Sequence, residues 1–345
     1  MAWEKLGSTT VGASTPVNNS WKELGRTTLG SDGDSINVSF TAKDNLMILQ
    51  NTLESTTIQA RSRVNSDSAS NYASRQSADG GTDYTNTSRN VGFEYENGSS
   101  YNNSFSVHHI TNIASQEKLG IHSWVASDTG AGNAPHRVES VGKWANTSNA
   151  ITSWDTINYN SGGNFTAGSE VVVLGCDNDE ADSGTNFWQQ LADVELSGSA
   201  TTISTGTFTA KKYLFVQHHC INDGAIYPNM RFNADSGSNY AYRFSGDGGT
   251  DATAISQSLY RSGGSIGSSV NQSSSMYIIN VATKEKLITN HFSINRTAGA
   301  GTAPFREENV GKWTNTSDQI TSIVISNGQG GNYASGSRIT VWGAD

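Results

Sequence analysis

Apolar residues come in short runs bounded by Gly, Asn, Asp and Ser along the whole chain, and many alternate with polar residues at a period of two. This pattern predicts β-strands, because successive side chains of a strand point to opposite faces. Helical periodicity is not convincing in any window, and 137–142 is the one stretch that favours a turn of helix. The predicted strands are 35–40, 45–53, 57–64, 104–113, 119–125, 170–175, 213–221, 229–233, 275–281, 287–294, 321–326 and 338–342.

The second half of the chain repeats the first at an offset of 168 or 169 residues. Residues 63–83 match 231–251 at 15 of 21 positions, and residues 131–153 match 300–322 at 16 of 23. Self-similarity over such a length indicates one structural unit used twice. Strands of this number joined by polar turns are typical of sandwiches. The sequence therefore predicts an all-β fold of two tandem β-sandwich (jelly-roll-like) domains.

The domains are expected at 21–179 and 187–345, and a third copy of their opening motif precedes them. Trp-x-x-Leu-Gly-x-Thr-Thr-x-Gly occurs at 3–12 and again at 21–30. Each domain already has its own opening strand, so neither domain needs residues 1–20. The third copy of the motif therefore predicts an N-terminal strand arm. An unpaired strand is expected to add to a sheet edge of a neighbouring subunit. The apolar contacts of this assembly arm would be Trp3, Leu6 and Val11.

Composition and charge argue against several classes of protein. The chain has 22 basic and 31 acidic residues, a net charge of −9 and no basic cluster. This charge disfavours nucleic acid and anionic membranes as partners. No apolar stretch approaches the roughly 20 residues of a membrane helix, and the opening residues lack the apolar core of a signal peptide. The two cysteines, Cys176 and Cys220, are too few for a disulfide framework, although a single disulfide is left open.

Histidines are the first candidates for metal binding or catalysis. The pairs His108-His109 and His218-His219 lie in predicted strands, so the two rings of a pair would point to opposite faces. Neither pair is therefore expected to hold one metal ion. Motifs for a nucleophile elbow, a dinucleotide site or a phosphate loop are also absent from the sequence.

Aspartates in the repeated segment are the second candidates. Asp67 and Asp79 in the first copy, like Asp235 and Asp247 in the second, form the only obvious carboxylate pairs shared by the copies. Glycoside hydrolysis needs such a pair at about 5–9.5 Å, but these residues are better explained as turn-forming aspartates. The twelve-residue calcium-loop pattern is missing around Asp235. The sequence predicts no catalytic residue, no metal and no cofactor.

The repeated Arg-x-Asn-x-Asp-Ser-x-Ser-Asn-Tyr-Ala-x-Arg segment is the strongest feature of the chain. Its centres, 65–71 and 233–239, predict hairpin loops, while Trp144 and Trp313 predict core positions. Two roles stay open for the loops: an internally bonded turn, or a contact surface with planar donors and a stacking tyrosine. The candidate binding residues are Arg63, Asp67, Asn71, Tyr72 and Arg75, with Arg231, Asp235, Asn239, Tyr240 and Arg243 in the second copy.

The opening motif, this segment, the Glu-Lys-Leu strands and the Ala-Gly-x-Ala-Pro…Val-Gly-Lys-Trp-x-Asn-Thr-Ser blocks together resemble a poorly characterised β-domain of virion proteins. Such domains occur in tailed phages and other viruses, marine ones in particular. The resemblance covers nearly the whole chain. It implies a non-enzymatic structural or receptor-facing virion part, such as a capsid decoration protein, a fibre or a tail component.

The same resemblance implies assembly in the host cytoplasm, with other virion proteins and copies of this chain as partners in a homo-oligomer. It predicts large apolar or strand-paired interfaces. The alternative is a carbohydrate-binding module or adhesin that recognises host-surface glycans. That alternative predicts exposed aromatic residues in a shallow groove on the side of the predicted hairpins, equivalently in both copies.

Overall fold

A computed structural model describes residues 21–56, 58–93, 101–159, 162–177, 186–265, 267, 270–296 and 300–345. All of its regular structure is β-strand, and these ranges contain no helix. The prediction of an all-β fold with two tandem sandwiches is confirmed. The expected assembly arm, with Trp3, Leu6 and Val11, lies outside the described residues.

The first sandwich, here called copy 1, consists of two antiparallel sheets. The large sheet has the strand order β1-β11-β3-β7-β8-β9-β5-β6, and the small sheet has the order β2-β10-β4. The strands are β1 (Lys22–Thr28), β2 (Ser35–Ser39), β3 (Asn45–Leu53), β4 (Ala60–Val64), β5 (Tyr72–Ala78), β6 (Tyr84–Arg89), β7 (Asn103–Thr111), β8 (Lys118–Ser127), β9 (His136–Trp144), β10 (Ser153–Asn158) and β11 (Glu170–Cys176).

Copy 2 has the same arrangement. Its large sheet runs β12-β24-β14-β19-β20-β21-β16-β17, with β23 paired to β14, and its small sheet runs β13-β22-β15-β18. The strands are β12 (Gln189–Glu195), β13 (Thr202–Thr207), β14 (Tyr213–Asp223), β15 (Pro228–Phe232), β16 (Tyr240–Gly246), β17 (Ala252–Gln257), β18 (Tyr260–Arg261), β19 (Asn271–Ile279), β20 (Lys286–Ile294), β21 (Phe305–Trp313), β22 (Ser322–Asn327), β23 (Asn332–Tyr333) and β24 (Arg338–Ala344).

Two local predictions are wrong. Residues 137–142 form the middle of β9 instead of a helical turn, because β8 and β5 pair with them on both sides. The loops 65–71 and 233–239 are not hairpins. The loop 65–71 joins β4 of the small sheet to β5 of the large sheet, so it crosses from one layer of the sandwich to the other, about 10 Å apart in packed sheets.

The large sheet of copy 1 is apolar on both faces at its centre. On β3, Leu46 and Ile48 pack in the core between the two sheets of copy 1. Their neighbours Met47 and Leu49 point the other way and are also buried, in a core shared with copy 2. The period of two therefore builds two cores from one strand.

The core between the copies, here called the seam, stacks the large sheets against each other. Copy 1 contributes apolar side chains from β3, β7, β8 and β11, and copy 2 contributes them from β14, β19, β20, β21 and β24. Buried polar contacts accompany this packing. Arg137 Nη2 of copy 1 lies 2.6 Å from Asp251 Oδ1 of copy 2, and Tyr213 Oη donates to Glu170 Oε1 at 2.7 Å.

The Glu-Lys-Leu motif has a structural role. Lys118 is buried, and its Nζ donates to the carbonyls of Ala114, Gln116 and Asn146 at 2.8–2.9 Å. Lys286 makes the three equivalent bonds in copy 2. Three charge-assisted bonds to carbonyls satisfy the ammonium group, so each lysine closes the loop before its strand.

Buried neutral histidines make the stability of this fold dependent on pH. Burial lowers the pKa of His122 to about 3 and that of His218 to about 4. Because the ordinary value is about 6.5, the unfolded chain binds more protons than the folded chain between these limits. The stability present above pH 6.5 is therefore lost as the pH falls towards 3–4.

The substitution His122→Asn tests this coupling, since copy 2 has Asn290 at the equivalent position. We expect the fall in unfolding free energy between pH 7 and pH 5 to be about 2 kcal/mol smaller than in the wild type. Urea unfolding at the two pH values measures it. His219→Asn, a change at an exposed site, is the control and should leave the fall unaltered. An equal fall in His122→Asn and wild type would contradict the coupling.

Candidate functional site

The loop 65–71, the centre of the motif, is bonded internally. Asp67 Oδ2 accepts from Asn71 Nδ2 at 2.8 Å and from the buried Trp144 Nε1 at 2.7 Å, and its Oδ1 accepts from Ala69 N at 2.9 Å. Burial opposes ionisation of Asp67, but these bonds outweigh it and hold its pKa below the ordinary value. The contacts of this aspartate are therefore those of a turn and a core anchor.

Copy 2 repeats the arrangement. Asp235 Oδ2 accepts from Asn239 Nδ2 at 2.9 Å and from Trp313 Nε1 at 2.7 Å, and Gly237 N donates to its Oδ1 at 2.8 Å. Both carboxylate oxygens of Asp235 are thus engaged inside the loop. The contacts of this loop provide no support for calcium binding.

The tyrosines of the motif offer no stacking face. The rings of Tyr72 and Tyr240 are buried in the sandwich cores. Tyr72 Oη lies 3.1 Å from Val64 N, and Tyr240 Oη lies 3.1 Å from the equivalent Phe232 N. The stacking role considered for both residues is wrong, since the large apolar rings are needed in the core.

The four arginines of the motif separate in the structure. Arg63 and Arg231 each donate from Nε to a loop carbonyl of the same copy, at 3.0 and 3.1 Å. Arg75 is exposed on β5, whereas Arg243 lies at the seam, where its Nε donates to Pro135 O at 2.8 Å. The predicted binding residues therefore do not come together as one site. Most of them hold loops and cores, Arg243 makes a contact between the copies, and Arg75 is exposed at the surface.

The aspartates considered as carboxylate pairs are also apart. Asp67 and Asp79 lie at opposite ends of β5, because one precedes the strand and the other follows it. Asp79 begins a tight turn with a positive φ of 50°, as its Asp-Gly-Gly sequence predicted, and its Oδ2 lies 2.7 Å from His136 Nδ1. Asp235 and Asp247 have the same separation along β16.

An exposed apolar groove crosses the large sheet of copy 1. Its floor carries Leu119, Ile121 and Val141, which are 57%, 65% and 49% exposed. Trp21 and His109 line one side, and the groove encloses about 810 Å³. We call it the copy 1 groove.

Strand register explains why these side chains share one face. His109 on β7 is the register partner of Ile121 on β8, which is the partner of Val141 on β9, which in turn is the partner of Arg75 on β5. Directly opposed residues of neighbouring strands point to the same side of a sheet. The groove is therefore a row of cross-strand neighbours with an apolar centre.

The equivalent positions of copy 2 are buried. Leu287, Thr289 and Val310 occupy the places of Leu119, Ile121 and Val141, and they are only 0%, 3% and 2% exposed. Leu287 and Val310 belong to the core that copy 2 shares with copy 1. The same sheet face thus packs against a partner sheet in one copy and lies open in the other.

Sequence reasoning missed this groove. Leu119 and Ile121 were predicted in a strand, but no pattern shows which face of that strand is covered. The available signal was the alternation along this strand. Leu119 and Ile121 lie on one face and Gly120 and His122 on the other, so the strand has an apolar face besides the one that faces the core. An exposed contiguous apolar patch indicates an interaction surface.

Comparisons with known proteins leave the family open. No protein-family model matches the chain, and no curated protein matches it. Among solved structures, mouse laminin alpha1 chain domains LG4-5 align with 7% identity and a TM-score of 0.16, over 94% of this chain and 92% of that one. Neisserial surface protein A aligns with 5% identity and a TM-score of 0.13, over 83% of this chain and 99% of that one. Scores this low carry no argument about fold or function.

Within the described residues, no helix is long and apolar enough to cross a membrane.

The anchoring role of the loop aspartates is testable. Asp67→Ala and Asp235→Ala each leave a buried tryptophan Nε1–H without its acceptor, which costs about 1–3 kcal/mol. We expect both variants to lose about that much unfolding free energy in urea titrations. Asp83→Ala, at an exposed carboxylate, should stay within about 0.5 kcal/mol of wild type. Wild-type stability of Asp67→Ala would show that the loop does not depend on this contact.

Proposed function

We propose that this protein is a non-enzymatic structural protein of a viral particle, which assembles through the copy 1 groove. The observation that carries the proposal is the unequal exposure of Leu119, Ile121 and Val141 and their buried counterparts in copy 2. Burying large apolar side chains stabilises an interface by about 1.5–3 kcal/mol each before ordering costs. The virion location rests on the resemblance of the repeated motifs to virion β-domains.

A second copy of this chain is the partner that the groove fits best. The groove is continuous with the seam, because His109 and Ile121 also line a cleft that runs between the two copies. Trp21 links the two, since it lines the groove and packs on the seam core. The sheet face that carries the groove therefore packs, in its neighbouring part, against the large sheet of copy 2.

The partner surface on the second chain is expected to be its own copy 1 groove. Leu287 belongs to the seam core, to which copy 1 contributes Phe105 and Val125. Copy 2 carries Ser273 and Ser293 at the places of Phe105 and Val125, so it lacks the apolar surface for the same contact with another chain. If two grooves face each other, each apolar floor is buried by the other. Such an interface uses the same surface of both chains and is therefore isologous.

The alternative function, recognition of host-surface glycans, has one supporting observation. The groove combines an apolar floor and Trp21 with Arg75, Asn86 and Lys143 along its sides, a combination typical of small-ligand sites. The expected equivalence of such a groove in both copies is wrong, since the copy 2 counterpart is covered. Glycan-array binding that is lost in Trp21→Ala would favour this function over self-assembly.

Ile121→Lys tests the assembly role, because it places a charge at the centre of the groove floor. Sedimentation velocity over a range of concentrations should show self-association of the wild type and a monomer for the variant. Ile255→Lys is the matched control. Ile255 is 46% exposed on β17, outside the groove, and its replacement should leave the association unchanged.

Two outcomes would contradict the proposal. A wild-type chain that stays monomeric at all concentrations shows that the groove does not mediate self-assembly. Absence of the protein from purified particles of the encoding virus, measured by mass spectrometry, shows that it is not a virion component.

A further inference from the structure

The two copies face each other at the seam through the same pair of positions. In copy 1, Ser123 on β8 is the register partner of Glu139 on β9. In copy 2, His291 on β20 is the register partner of Glu308 on β21. The repeat aligns Ser123 with His291 and Glu139 with Glu308, so one cross-strand pair and its own counterpart meet across the seam.

The side-chain atoms of these residues converge. Single donor atoms of Glu139, His291 and Glu308 all lie within 4.8 Å of one another. His291 Nε2 lies 3.1 Å from Ser123 Oγ and 4.0 Å from Glu139 Oε1. The group therefore offers one imidazole nitrogen, two carboxylates and a hydroxyl around one point.

The surroundings of these residues allow access from solvent. A polar cavity of about 440 Å³ is lined by both glutamates, and the cleft between the copies is lined by Ser123 and His291. The side chains of His291 and Glu139 are 52% and 27% exposed, so an ion from solvent can reach them.

Each of the two glutamates also contacts an arginine. Arg137 contacts Glu139 at 2.8 Å but also pairs with the buried Asp251, so its charge is shared by two carboxylates. Arg306 contacts Glu308 Oε1. Both arginines line the polar cavity together with the glutamates. A bound metal ion would therefore share each carboxylate with an arginine.

We propose that Glu139, His291 and Glu308, with Ser123 beside them, bind a divalent transition-metal ion of the Zn²⁺ type across the seam. A mixed set of one imidazole and two carboxylates suits Zn²⁺, which takes four nitrogen and oxygen ligands at about 2.0–2.2 Å. Mg²⁺ and Ca²⁺ prefer six or more oxygens and fit this set less well. Since the ligands come from both copies, the ion would join the two domains. The inference is independent of the proposed assembly role.

Isothermal titration of the EDTA-treated full chain with ZnCl₂ tests the site. We expect one Zn²⁺ per chain, and no binding of MgCl₂ or CaCl₂ at the same concentrations. Glu139→Gln in copy 1, and His291→Ser or Glu308→Gln in copy 2, should each weaken Zn²⁺ association by at least about tenfold. His291→Ser introduces the residue that copy 1 has at this position.

The control is His219→Asn, which removes an exposed histidine of the same large sheet and should not change Zn²⁺ association. X-ray absorption of the Zn²⁺-loaded wild-type chain requires no variant, and should show one imidazole in a nitrogen and oxygen shell. The proposal is overturned if the wild type does not bind Zn²⁺, if Glu139→Gln and Glu308→Gln bind it as tightly as wild type, or if the absorption spectrum shows oxygen ligands only.

Discussion

The large sheets are buried on both faces over much of their area, and the two sandwich cores, the seam and the exposed groove all follow from this packing. The inner face of each sheet packs on the small sheet of its own copy, and much of the outer face packs on the other copy. Because side chains alternate along a strand, β3 supplies Leu46 and Ile48 to one core and Met47 and Leu49 to the other. The same strands therefore build both the core of a sandwich and the seam between the copies.

The seam also makes two similar sequences unequal. Leu119 and Leu287 occupy the same place in the repeat, yet the first is open and the second is in the shared core. Stacking two sheets covers one stretch of each face, and the covered stretches are not the same in the two copies. This asymmetry leaves one apolar groove for a further partner. Elsewhere in the seam the copies do meet at equivalent positions, since Ser123 of copy 1 lies against His291 of copy 2, its own counterpart in the repeat.

The most distinctive sequence motifs turn out to serve the fold. Asp67 orders a loop and accepts from Trp144, and Lys118 binds three loop carbonyls. Residues that satisfy buried polar groups must keep one chemistry and spacing, which makes them stand out in a repeat. The candidate sites instead use unremarkable residues such as Ile121 and Glu139, whose importance depends on what faces them.

Local sequence patterns were enough to predict the all-β class, the duplication and most strand positions, because period-two alternation and turn residues are local signals. They also predicted that Trp144 and Trp313 are core residues and that adjacent histidines diverge. Strand order and packing were needed to show that the loop 65–71 crosses between sheets, that Tyr72 is buried, and which face of β8 is exposed. These features depend on strand order and on contacts between residues far apart in the chain, for which alternation along one strand provides no signal.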